Sequence, residues 1–178
     1  MLLVEGPDDK HVVAHLCRGT ELESRFDIDD KGGKDPLLAA IRNEVRVPGR
    51  EALGILLDAD NDVQSRWDAV THALSRVDVA GPGVPDPSGT IIDNRPRIGI
   101  WLMPDNVSAG QVEEFFAGMI ANDDPVWPRS EAYIDGIPVA DRKFASGKIL
   151  RAKVHSWLAT REETEDDGRG NRGRGSES

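Results

Sequence analysis

Carboxylates cluster at two places in this sequence, each directly behind a short apolar run. Leu2-Leu3-Val4 leads into Glu5-Gly6-Pro7-Asp8-Asp9, and Ala52 to Leu57 leads into Asp58-Ala59-Asp60-Asn61-Asp62. On neighbouring strands these acids would share one rim, which repels itself unless a cation or protons neutralise it. Oxygen donors without His or Cys favour Mg2+ or Mn2+ over zinc. Each cluster alone has a plainer reading: Asp58, Asp60 and Asp62 as turn and capping residues, Asp8-Asp9 as charges that complement a helix start. The combination of two acidic rims, with an apolar strand before each, is what points to a metal. His11 and His15 have the i,i+4 spacing of zinc ligands on a helix. The Val-Val-Ala between them lacks the glutamate of His-Glu-x-x-His, so zinc is not expected.

The elements that must position these acids follow from periodicity. Leu2 to Val4 reads as a strand, and Asp8-Asp9 opens a helix with Val12, Val13, Leu16 and Cys17 at helical spacing. Phe26 to Ile28 reads as a second strand, broken by Gly32-Gly33, and Asp35-Pro36 starts a helix carrying Leu37, Leu38, Ile41 and Val45. Ala52 to Leu57 is continuously apolar, as expected of a strand covered on both faces. Val63, Trp67, Val70, Leu74 and Val77 form the clearest helix behind it. Residues 79–89 hold three Pro and three Gly and read as a loop before two paired strands, Thr90–Asp93 and Ile98–Met103. Ser108 and Gln111 have capping-box spacing ahead of the stripe Val112, Phe115, Phe116, Met119 and Ile120. Residues 121–145 read as irregular, and Ser146 as the cap of a helix with Ile149, Leu150, Val154, Trp157 and Leu158. Three strand–helix units in a row imply an α/β fold of Rossmann type, a mostly parallel sheet flanked by helices. In such sheets ligands bind outside the carboxyl ends of the strands.

The chain has 178 residues and a net charge of −10, from 22 basic and 32 acidic side chains. One domain over 1–161 is expected, followed by a low-complexity tail, 162–178, that lacks the apolar residues to offset its own chain entropy. The longest apolar stretches fall far short of the roughly 20 residues a membrane helix needs. Glu5, Asp8 and Asp9 come too early for a secretory signal. A cytoplasmic protein is expected, with no membrane partner, and the single Cys17 fits a reducing compartment. The acidic balance argues against binding a polyanion through bulk charge, so a phosphate substrate needs local help. Residues 139–161 offer it, with six Lys or Arg against one Asp. Lys148, Arg151 and Lys153 are the candidate backbone contacts for DNA or RNA, with Arg151 and His155 on one i,i+4 face. The alternative is an ordinary solvated helix face.

Leu2 to Asp9 followed by Leu56-Leu57-Asp58-Ala59-Asp60 resembles the Toprim domain of topoisomerases, bacterial-type primases, OLD-family nucleases and small ribosomal-RNA maturation nucleases. Gly32-Gly33-Lys34-Asp35, Gly99 to Asn106 and Lys153 to Trp157 extend the likeness over roughly residues 1–161, toward small stand-alone Toprim-like proteins. The resemblance implies a Toprim-like sheet and roles for named positions. Glu5 matches the Toprim glutamate, a general acid/base in some members and a metal ligand in the nucleases. Asp58 and Asp60 match the Asp-x-Asp metal ligands, which makes Glu5, Asp58 and Asp60 the implied catalytic set. Asp9 stands where OLD-type nucleases place a further acidic ligand, and Glu113 is the best match to a glutamate that arrives from a later helix. The alternative for Glu113 is a solvated residue bordering the Val112/Phe116 stripe.

Departures narrow the reading. A topoisomerase needs a transesterifying tyrosine on further domains, and only Tyr133 is present. One cysteine cannot build a primase zinc module. No Gly-x-x-x-x-Gly-Lys-Ser/Thr loop exists, so any ATPase must be a separate partner. What the resemblance implies is a Mg2+- or Mn2+-dependent nuclease or related nucleic-acid phosphotransfer enzyme, with one ion or with two about 3.5–4 Å apart. The alternative is a catalytically idle Toprim fold that binds nucleic acid or regulates a partner such as an ATPase.

Overall fold

The computed structural model describes residues 1–160. The tail expected over 162–178, and Arg161, lie outside the described residues. Two compact units are present, Met1–Ala121 and the residues from Asn122 onward.

The first unit is an α/β sheet with helices on both faces. In chain order it contains β1 (Leu2–Val4), α1 (Pro7–Cys17), β2 (Ile28–Asp30), α2 (Lys34–Val45), β3 (Ala52–Asp58) and α3 (Val63–Ser75). β4 (Thr90–Ile92), β5 (Arg97–Met103) and α4 (Val112–Met119) complete it. The strand order is β2-β1-β3-β5-β4, with β4 alone antiparallel. Alternation along the strands divides the core. Leu3, Leu53, Ile55, Leu57, Ile98, Ile100 and Leu102 face α2 and α3 and pack on Leu37, Ile41, Trp67, Val70 and Leu74. Val4, Leu56 and Met103 turn to the other face, where Val12 of α1 and Val112 of α4 meet them. β3 is apolar from Ala52 to Leu57 because both of its faces are covered, as its composition predicts.

This topology fixes where a site can form. From β1 the chain moves outward to β2 by way of α1, and from β3 it moves the opposite way toward β5. The order therefore reverses between β1 and β3, and the loops leaving those two strands diverge and open a crevice. Val4 pairs with Leu56, so Glu5 and Asp58 emerge side by side at that point.

Three elements differ from the sequence reading. β2 begins at Ile28, two residues later than the apolar run. Pairing with β1 places it there: Leu2 N–H donates to Asp27 O at 2.8 Å and Lys31 N–H to Val4 O at 3.1 Å. Within 121–145, read as irregular, the second unit forms α5 (Trp127–Gly136). Pro128 falls in its first turn, where a missing N–H costs nothing. Asp124 Oδ1 accepts from Val126 N–H and Trp127 N–H, both at 2.8 Å, and supplies the start signal. Ser146 does not cap α6 (Ile149–Leu158); a 3-10 turn over Ser146–Lys148 runs into it instead.

Candidate functional site

Asp58, the last residue of β3, stands at the centre of the crevice. Its Oδ1 accepts from Val112 N–H at 2.9 Å, which ties the end of β3 to the first turn of α4. Its own N–H donates to Glu5 Oε2 at 3.4 Å, which ties it to the residue after β1. Asp9, in the first turn of α1, is 4% exposed, and its Oδ2 accepts from Gly6 N–H at 2.9 Å. Asp9 Oδ1 is buried and meets no donor among the described residues. Glu113, in the first turn of α4, is 5% exposed. Glu5, Asp9, Asp58 and Glu113 thus arrive from three segments, the turn from β1 into α1, the end of β3 and the start of α4.

Their electrostatics report the crowding. Burial pushes the Asp58 carboxyl up to about 8, and the neighbouring charges of Asp9, Glu5 and Glu113 push the same way. Asp9 is pushed up to about 6, mostly by burial, with Glu5 and Glu113 adding to it against the Gly6 hydrogen bond. Burial raises Glu5 as well, opposed by the nearby Arg66 guanidinium and the Asp58 N–H. As the side chains stand, no three His, Cys, Asp or Glu residues among the described residues are gathered in a geometry that holds a metal ion.

Asp60 behaves differently from Asp58. Its backbone is in the left-handed region, φ +53°, where a non-glycine residue is strained. That conformation is held by a two-way pair with Gly110: Asp60 N–H donates to Gly110 O at 2.8 Å and Gly110 N–H to Asp60 O at 2.7 Å. Its side chain is claimed by Arg66 Nη2 on Oδ2 and by Gln111 Nε2 on Oδ1 at 2.8 Å. Gly110 has φ +151°, and a Cβ there would come within 3.1 Å of Pro104 and 3.3 Å of Glu114. The segment from Pro104 to Gln111 is therefore a brace for Asp60. Within it Asn106 Oδ1 accepts from Leu102 N–H at 2.7 Å, and Asp105 accepts from Val107 and Ser108 at 2.6 to 2.9 Å.

Of the remaining candidates, Asp62 and Lys153 have structural employment. Asp62 caps α3, accepting from Gln64 N–H at 3.0 Å and Ser65 Oγ–H at 2.6 Å, as the plainer reading of that acid requires. His11 and His15 are exposed on α1. In the second unit Lys153 Nζ lies 2.9 Å from Asp135 and 3.7 Å from Glu131, so its charge is spent within that unit. Lys148 lies in the 3-10 turn and Arg151 in the first turn of α6.

Arg66 and Gln111 are site residues that the motifs do not reveal. Arg66 carries a signal nonetheless. It stands three residues after Val63 and four before Val70, on the inner face of α3, where a core side chain is due. It is 6% exposed. An arginine in such a position needs an anion to face, and the acidic rim is what it faces.

No helix among the described residues is long and apolar enough to cross a membrane. No curated protein and no solved structure matches the chain. A family model described as "Protein of unknown function (DUF3226)" matches residues 1–170, so the fold and the acidic crevice described above are those of a member of that family.

Proposed function

We propose that this protein is a Toprim-type, Mg2+- or Mn2+-dependent enzyme that cleaves or transfers phosphodiester groups in DNA or RNA. One observation carries the reading: four carboxylates from three separate segments meet at the topological switch point and strain against ionising together. The donors are all oxygen, and the buried Asp9 Oδ1 has no hydrogen-bond partner among the described residues, which suits a hard divalent cation. Glu5, Asp9, Asp58 and Glu113 would hold it, after side-chain rotations that bring them round one point. Asp60 would join them only by leaving Arg66.

A divalent ion, when bound, would ease loss of a proton from the attacking water and offset charge on the leaving oxygen. The protein's own residues supply the rest. Asp58 is fixed through the Val112 N–H on one carboxylate oxygen, Oδ1. Where Asp9, Asp58 and Glu113 alone hold the ion, Glu5, held at the Asp58 backbone and raised in pKa, would be free to take a proton from water and return it to the departing oxygen. In that hydrolysis a P–O bond forms from water and the P–O bond to the leaving nucleotide breaks.

The test is cleavage of end-labelled single-stranded DNA and RNA in Mg2+ or Mn2+. Wild type should cut, and Asp58→Asn and Glu5→Gln should each lose at least about a hundredfold in rate, as expected for removal of a ligand or a proton-transfer group. Equal activity in wild type and both variants would defeat the proposal.

A second reading is favoured by the Arg66–Asp60 pair, which occupies one acid of the Asp-x-Asp motif with a protein cation. In that reading the fold is idle and binds nucleic acid or a partner such as a separate ATPase. It predicts no cleavage under any divalent ion.

A further inference from the structure

Beside the acidic rim lies a recess of about 350 Å³, bounded by the N-terminal ends of α2 and α3. Lys34, Asp35, Asp60, Asp62 and Arg66 bring the charges to its wall. Arg66 is the unusual member. Its side chain is 5% exposed, yet among the described residues only one of the five N–H donors a guanidinium carries is engaged, at Nη2 on Asp60, and the buried Nε meets no acceptor. Leaving a buried cationic donor unpaired is costly, and folded proteins rarely do so without a use for it. Lys34, exposed at the first residue of α2, adds a second positive charge, and its influence reaches Glu5.

We infer that Arg66, with Lys34 beside it, binds phosphate oxygens of a nucleic-acid strand whose scissile group lies at the carboxylate rim. This rests on the phosphodiester reading above and names the substrate contact within it. The planar guanidinium offers paired donors that match two oxygens of one phosphate, and α2 opens its N-terminus at the same wall. Asp35, Asp60 and Asp62 line the recess too, so a bare anion is repelled. A phosphate that arrives with a divalent ion is not, because the ion offsets those charges. The recess therefore selects a metal-bridged phosphodiester over free inorganic phosphate.

The experiment is fluorescence anisotropy of the full chain with a short labelled oligothymidylate, in Ca2+ to slow turnover, beside calorimetric titration with Mn2+ alone. Arg66→Lys keeps the charge opposite Asp60 and removes the fork, and Lys34→Ala alters an exposed side chain. The expected result is oligonucleotide binding by wild type that needs Ca2+, an affinity lower by about tenfold or more in Arg66→Lys and by a few-fold in Lys34→Ala, and Mn2+ affinity unchanged in both. Unchanged oligonucleotide affinity in both folded variants overturns the assignment. So does a fall in Mn2+ affinity that accounts for the whole loss, since Arg66 would then serve only to hold Asp60. Wild type that binds Mn2+ but no oligonucleotide overturns the phosphate contact and leaves the metal site standing. Wild type that binds no Mn2+ overturns both.

Discussion

Replacing Asp58 with asparagine should make the metal-free protein more stable, because the native carboxyl sits where ionisation is opposed. Its pKa rises from 3.8 to about 8 through burial and the charges of Asp9, Glu5 and Glu113. At pH 7 the ionised form is held some three units from its ordinary equilibrium, and at about 1.4 kcal/mol per unit that sets a ceiling of about 4 kcal/mol. The four acids share protons and relax together, so roughly half, ~2 kcal/mol, is expected from one substitution. The amide introduced by Asp58→Asn keeps an Oδ1 acceptor for the Val112 N–H, so the tie to α4 survives. The sign follows from proton counting. The folded state holds the Asp58 proton more tightly than the unfolded chain, so its contribution is fully present below about pH 4 and is lost as pH rises toward 8. Thermal melts in chelator should show Asp58→Asn melting about 4–8 °C above wild type at pH 8, with the difference closing by about pH 4. Mn2+ at pH 8 should raise the wild-type midpoint and do little for the variant. A variant less stable than wild type at pH 8, or a difference that ignores pH, would refute the electrostatic account of the crevice.

Three further expectations test the scaffold. Gly110→Ala places a Cβ against Pro104 and Glu114 in a backbone conformation that side chains avoid, so it should cost about 1–3 kcal/mol in denaturant melts. Trp67→Phe removes the 2.8 Å bond from Nε1 to Pro82 O that pins the 79–89 loop to α3, and should cost about 1 kcal/mol by the same melts with Mn2+ affinity unchanged. Asp62→Ala should lower the melting temperature through loss of the α3 cap and leave Mn2+ binding intact, which separates the third acid of the cluster from the first.

The architecture was legible because its signals are local and strong. The apolar run of β3 and the stripe of α3 read directly as a covered strand and an amphipathic helix, and Gly32-Gly33 marks the turn into α2. β2 was displaced because its place is decided by pairing with β1 rather than by its own composition, and α5 was hidden because prolines at a helix start look like breakers. At the site, Glu5, Asp9 and Asp58 announce themselves by lying behind strands or at a helix start. Glu113 was visible only through resemblance, since its burial depends on α4 folding back onto β3. The different fates of Asp58 and Asp60 could not be read, because they turn on Arg66 and Gln111, residues six and 51 positions away that meet Asp60 only in the folded chain.

Whether the crevice between β1 and β3 holds a hard divalent cation is tested most directly by anomalous scattering from crystals soaked in Mn2+. A peak is expected among the carboxylates of Glu5, Asp9, Asp58 and Glu113, absent from Asp58→Asn crystals under the same soak. A soaked crystal with no peak there, or with manganese only at exposed residues such as His11 and His15, would contradict the metal site and the chemistry built on it.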